Sequence, residues 1–187
     1  MDKHYEKYKD SELYGMMHGK KRESEAAFAE LYSRYSQKVF SYCLRMLGNK
    51  EDAKDVFQET FINFYNSREQ YSAMDHVFAF IITSARHLCY NHNRDRKPSI
   101  NIDDYKLSTT DIGYEQKELL ELIAQALELI TLDHKEIFIL RLYHGLNYKE
   151  ISQITGDTET SVKSKFWRAK EKVKKVLHPY LKELSKI

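Results

Sequence analysis

The stretch Leu146-Asn147-Tyr148-Lys149-Glu150-Ile151-Ser152-Gln153-Ile154-Thr155-Gly156-Asp157-Thr158-Glu159-Thr160-Ser161-Val162-Lys163-Ser164-Lys165-Phe166-Trp167-Arg168-Ala169-Lys170 decides the fold. Ile151 and Ile154 lie three apart, which puts them on the buried side of a short helix. Gly156 follows at once and supplies the positive φ that a sharp turn between helices needs. Thr158 is placed to cap a second helix, with Glu159 in the first turn, where the helix dipole favours a carboxylate. Val162, Phe166 and Ala169 form the core stripe of that helix. Between them stand Thr160, Ser161, Lys163, Ser164, Lys165 and Arg168, all hydrogen-bond donors. A second helix with a polar first turn and a basic outer face is what reading a DNA major groove requires.

Charge supports that reading locally rather than globally. The 187 residues sum to only +2, yet from Thr158 to Ile187 eight Lys and one Arg stand against three Glu. Concentrated positive charge of this kind suits a polyanion. Two prolines and six glycines are few, and favour a mostly helical chain. Hydrophobic residues make up 42% of the sequence, enough for folded cores.

The rest of the chain reads as helices in two blocks. A short helix from Asp10 to His18 is expected to pack loosely. From Glu25, Phe28, Leu31, Tyr32 and Tyr35 form one face, continued by Val39, Phe40, Cys43, Leu44 and Leu47. Gly48 closes this helix. In the next, Ala53, Val56, Phe57, Phe61 and Phe64 face inward, while Asp55, Gln58, Glu59 and Asn63 give a polar, acidic outer surface suited to a basic partner. Ser67 to Asp75 reads as a loop. Val77 to Lys97 is one long helix, apolar at its start and basic at its end, with aromatic and basic residues interleaved as in proteins that hold unpaired bases. Pro98 ends it.

From Ser99 to Glu121 six acids stand against two lysines, with Ser108-Thr109-Thr110 and Gly113 among them. That composition marks a flexible acidic linker as far as about Gly113. Helical pattern resumes at Tyr114. Thr131-Leu132-Asp133 then caps a helix carrying Ile137, Phe138, Leu140 and Leu142, and His144-Gly145 stops it.

Several classes of chemistry are not expected. Cys43 and Cys89 stand alone without a CxxC, and His76, His87 and His92 lack carboxylates or thiolates at ligand spacing, so no metal and no other cofactor is expected. No Gly-rich phosphate loop, nucleophile elbow or paired catalytic carboxylates occur, which argues against an enzyme. The absence of an N-terminal apolar run or a spanning stretch leads to the expectation of a cytoplasmic protein without membrane insertion.

Two motifs, in order, resemble the extracytoplasmic-function (ECF) sigma factors of bacterial RNA polymerase, small members of the sigma-70 family. Asp52-Ala53-Lys54-Asp55-Val56-Phe57-Gln58-Glu59-Thr60-Phe61 is similar to the region 2 motif, and Phe78-Ala79-Phe80-Ile81-Ile82-Thr83-Ser84-Ala85-Arg86 to the start of its promoter-melting helix. Leu142 to Lys170 is similar to region 4. The resemblance implies an all-α chain of two small helical domains. Region 2 would cover 1–97, a linker 98–122 and region 4 the span 123–187. Asp55, Gln58, Glu59 and Phe61 would then meet core polymerase, whose β and β′ subunits are the implied partners. Tyr71, His76, Asn91, Arg94, Arg96 and Lys97 would engage and open the −10 element of promoter DNA. Thr160, Ser161, Lys163, Ser164 and Arg168 would read the −35 element. An anti-sigma factor is a further implied partner. His87, Asn93 and Asp95 depart from the family pattern. The competing reading is a stand-alone helix-turn-helix regulator, which would leave Phe28 to Lys97 without a purpose.

Overall fold

The structure, a computed structural model, describes residues 4–95, 122–123 and 125–184. Arg96, Lys97 and all of the expected linker but Leu122 therefore lie outside the described residues. Among the described residues every regular element is helical. They divide into two compact units, residues 4–43 with 51–95, and residues 44–50 with those from 122 onward.

The first unit is built on α1 (Asp10–Met16), α2 (Lys21–Leu47) as far as Cys43, α3 (Lys50–Asn66) from Glu51 on, and α4 (Val77–Asp95). Gly48, at φ 69°, lets the chain reverse between α2 and α3, as its position suggested. The core is aromatic. Phe64 is fully buried, with ring centroids 5.8 Å from Tyr14, 6.3 Å from Phe28 and 6.3 Å from Phe80. Ile81, Ile82, Ala85 and Cys89 of α4 are also fully buried, as their spacing predicts.

The expectation of a loosely packed α1 is overturned. Leu13 and Tyr14 are fully buried and Met17 is 1% exposed. Arg34 of α2 pins the segment ahead of it, donating to the carbonyls of Tyr5, Glu6 and Tyr8 at 3.3, 3.1 and 3.0 Å and to Asp10 Oδ1 at 2.8 Å. The Tyr35 hydroxyl donates to the other Asp10 oxygen. Burial, with Asp10 alongside, pushes the Tyr35 phenol well above its ordinary pKa.

The second unit contains α5 (Leu132–Leu142), α6 (Tyr148–Thr155) and α7 (Glu159–Leu184), preceded by helical residues 122–123 and 125–128. Its core joins Ala126, Leu127, Ile130 and Phe138 to Ala169, Val173 and Leu177. Leu142 departs from the expected stripe and is 56% exposed.

Candidate nucleic-acid and polymerase interfaces

The turn between α6 and α7 is assembled from local chemistry. Asn147 caps α6 by accepting from Glu150 N at 2.9 Å, while Glu150 Oε2 accepts from Asn147 N at 2.7 Å. Gly156 ends α6 at φ 77°, in the left-handed region its sequence position demanded. Ser152 Oγ donates across the turn to Asp157 O at 2.6 Å. Thr158 Oγ1 accepts from Ser161 N at 3.2 Å and so caps α7 as expected. Val162, Ile151 and Ile154 lock the two helices together, at 0%, 0% and 5% exposure.

That packing fixes which side of α7 faces outward. Thr160, Lys163, Ser164 and Arg168 are exposed and Ser161 is half-buried. Trp167, which the sequence reading left unassigned, is 64% exposed on the same side, three residues beyond Ser164. Its position off the Val162, Phe166, Ala169 stripe was the available signal.

Lys165 behaves differently from its neighbours. It turns towards the protein and reaches Asp157 Oδ2 at 2.9 Å and Asp133 Oδ2 at 3.3 Å. The hydrogen bond that Lys165 donates to Asp157 raises its pKa despite partial burial. For Asp133 burial acts upward, but hydrogen bonds from Thr131 and Lys165 outweigh it and hold the carboxyl below its ordinary value. A depressed carboxylate contributes stability above its unfolded pKa and loses it as pH falls through the folded one. Asp133→Asn is therefore expected to flatten the acid limb of the stability curve below about pH 4, read by denaturant titration across pH.

In the first unit, α4 sets out a strip of polar and aromatic groups. His76, at the residue before α4, is exposed, as are His87, Asn91 and Arg94. These positions share one side of a helix, and His76 and Asn91 stand roughly 22 Å apart along its axis. Tyr71, 49% exposed, joins the strip at its start through an edge-on contact with Phe80, centroids 5.9 Å apart. Arg86 lies over the Tyr90 ring at 4.6 Å. The expected −10 residues thus fall into two groups, Tyr71 with His76 at one end and Asn91 with Arg94 at the other. Arg96 and Lys97 are outside the described residues.

The expected polymerase residues divide between two sides of α3. Asp55, Gln58 and Glu59 are exposed together. Phe61 sits on the packed side at 4% exposure, 4.8 Å from Tyr32 and 5.1 Å from Phe57, centroid to centroid. It forms part of an apolar groove of about 380 Å³, lined also by Phe28, Tyr32, Phe57, Ile62 and Tyr65, with Gln58 and Asn66 at its polar edge. Ile62 is 59% exposed there. The sequence reading passed over Ile62, an apolar residue outside the inward stripe.

Comparison with known proteins gives the arrangement a family. Residues 31–98 match the family model for Sigma-70 region 2, and residues 120–173 that for Sigma-70, region 4. The chain is similar to the RNA polymerase sigma factor YlaC of Bacillus subtilis, 28% identical over 78% of this chain and 89% of that one. It is also similar to the ECF RNA polymerase sigma factor SigW of the same organism, 25% identical over 84% of this chain and 92% of that one. The fold resembles the sigma factor RpoE of Bartonella quintana, solved with the anti-sigma factor NepR, at a TM-score of 0.68 and 17% identity over 81% of this chain and 96% of that one. It resembles CnrH, solved with the cytosolic domain of CnrY, at the same TM-score and identity over 91% and 99%. With both region models matched in order, and the helix-turn-helix and the α3 and α4 faces lying inside them, the chain belongs to the sigma-70 family, among its extracytoplasmic-function sigma factors.

Proposed function

We propose that the protein is an initiation factor that binds core RNA polymerase through the outer side of α3, directs it to two-part promoters and helps open them. It is not an enzyme, and it works in the cytoplasm. No helix among the described residues is long and apolar enough to cross a membrane. The observation that carries this reading is that one chain joins an outward polar helix side with a capped helix-turn-helix, each within its matched region. A stand-alone regulator would use only the second of these.

In this reading Asp55, Gln58 and Glu59 meet basic groups of the β′ subunit, and the adjacent groove over Phe61 and Ile62 takes an apolar side chain from it. Tyr71 and His76 engage unstacked −10 bases, and Asn91 and Arg94 follow the strand. Thr160, Ser161, Lys163, Ser164 and Arg168 read the −35 duplex. Trp167 adds an apolar surface of the kind that meets a thymine methyl. An anti-sigma factor is a partner by analogy with the sigma factor RpoE, solved with the anti-sigma factor NepR.

The test is reconstitution. The purified chain added to core polymerase should give transcripts that start at fixed distances from a shared two-part sequence, in a library of random DNA. Transcription that is unchanged by the chain, alongside tight binding of the chain alone to duplex DNA, would establish the regulator instead.

The contrast between Lys163 and Lys165 gives a sharper expectation for the −35 contact. Each phosphate contact contributes roughly 0.9 to the slope of log affinity against log salt. Lys163→Gln should reduce that slope by about one unit for holoenzyme on its promoter. Lys165→Gln should leave it unchanged, because that ammonium is committed to Asp157 and Asp133. Equal slopes for the two variants would refute this assignment.

A further inference from the structure

Helix α1 begins ahead of residues 31–98 and has no part in the reading above. It nonetheless holds the loop that carries Tyr71. The Tyr14 hydroxyl lies 3.0 Å from Ser67 Oγ and 3.4 Å from the Tyr71 carbonyl oxygen. Ser67 Oγ itself donates to Phe64 O at 2.6 Å, so it accepts from Tyr14, whose one proton is shared between Ser67 and Tyr71. Just past α1, His18 Nε2 stands 3.0 Å from both the Arg68 and the Tyr71 carbonyl oxygens. Nδ1 faces the Tyr14 and Gly15 carbonyls at 3.2 Å, and carbonyls only accept, so a ring with one proton bonds the loop when that proton is on Nε2, where the contacts are shorter.

The Tyr71 carbonyl thus receives a donor from each of two α1-side residues. The Tyr71 amide closes the loop on Ser67 O at 3.0 Å. The Tyr14 ring is fully buried and packs on Phe64, while His18 meets it edge-on at 5.6 Å. The backbone of 67–71 is therefore fixed from behind, and the Tyr71 ring is left half-exposed beside Phe80.

We infer that α1 is a positioning element for −10 recognition, with Tyr14 and His18 presenting Tyr71 in one orientation to an unstacked base. This rests on the proposal that Tyr71 meets the −10 strand. A loop ordered before binding loses less conformational freedom on contact, and it holds its ring against one base position rather than several. Tyr14 and His18 are positioning residues and touch no DNA themselves.

The experiment uses the full chain reconstituted with core polymerase. The probe is a promoter fragment that the wild-type holoenzyme enriches from random duplexes, supplied with its −10 strand unpaired and in versions altered at single −10 bases. Tyr14→Phe combined with His18→Ala should lower the preference for the enriched over the altered probes by roughly tenfold, the scale of two lost hydrogen bonds. Core polymerase binding should be unchanged, and the thermal transition should stay cooperative, lowered by no more than about 10 °C. His18→Gln alone, which keeps an N–H donor near the Nε2 position, should stay within about twofold of wild type.

Tyr71→Ala separates the two levels of the argument. If Tyr71→Ala keeps the full preference, the −10 assignment of this loop is wrong and the inference falls with it. If Tyr71→Ala loses the preference while the double variant keeps it, the inference alone is overturned. Loss of core binding or of a cooperative thermal transition in the double variant also overturns it, because α1 would then support the whole unit rather than the loop.

Discussion

Asp55→Arg with Glu59→Arg should reduce recovery of the chain with bacterial core RNA polymerase by at least about a hundredfold. Like charges brought together across an interface cost several kcal/mol, and each 1.4 kcal/mol is about tenfold in affinity. The two carboxylates are four residues apart on α3 and are exposed together with Gln58, so a single basic partner surface would meet both. Their exposure also makes the experiment clean. Surface substitutions away from packed features change stability by only about 0.5 kcal/mol. The reversed variant should therefore melt like the wild type and fail only in binding. Binding of the wild type should also weaken with added salt, since exposed charges are screened over about 10 Å at 0.1 M. Undiminished co-purification of the double variant would move the polymerase contact off this side of α3.

How much of this could be read in the sequence depended on how local the determinants were. The α6–α7 turn was legible because its parts lie within a dozen residues. A glycine at the required position, a threonine cap and two isoleucines three apart each have one conformational meaning, and all agree. Helix α1 was misread because its partners are distant. Tyr14 meets Ser67 across 53 residues and Arg34 meets Asp10 across 24, separations that no periodicity reports. Lys165 shows a related limit. It reads as one more cation on a basic helix until Asp133, 32 positions earlier, is brought beside it. Phe61 was assigned both to the inward stripe and, by resemblance, to the polymerase contact. The fold puts it on the packed side, at 4% exposure, in the wall of a groove that Ile62 and Tyr32 also line. Trp167 escaped because an aromatic residue beside Phe166 reads as core, although its angle on the helix excludes it from the buried stripe.

Phe64→Ala should have the largest effect on stability, about 3–5 kcal/mol, as expected for removing a buried aromatic ring. Its ring is fully buried and meets Tyr14 of α1, Phe28 of α2, Phe61 of α3 itself and Phe80 of α4, so the vacated space touches all four helices of the unit. No neighbour fills such a space without moving away from another helix. Domains of this size have only about 5–15 kcal/mol in hand, and each lost kcal/mol lowers the melting temperature by about 4–8 °C. The first unit should accordingly melt more than about 10 °C lower, followed by near-ultraviolet circular dichroism of the full chain, where the aromatic cluster supplies the signal. Ile62→Ala, two residues earlier on the same helix, is the matched control. Ile62 is 59% exposed, so its truncation should leave melting within about 2 °C while still weakening polymerase binding through the groove. The pair separates the structural role of α3 from the binding role proposed for it. One side holds the unit together, and the side that packing leaves exposed, with Asp55, Gln58, Glu59 and Ile62, is the one proposed to meet polymerase. A cost below about 1 kcal/mol at Phe64 would mean that the cluster relaxes around the missing ring, and that α3 is not the element on which the unit's packing depends.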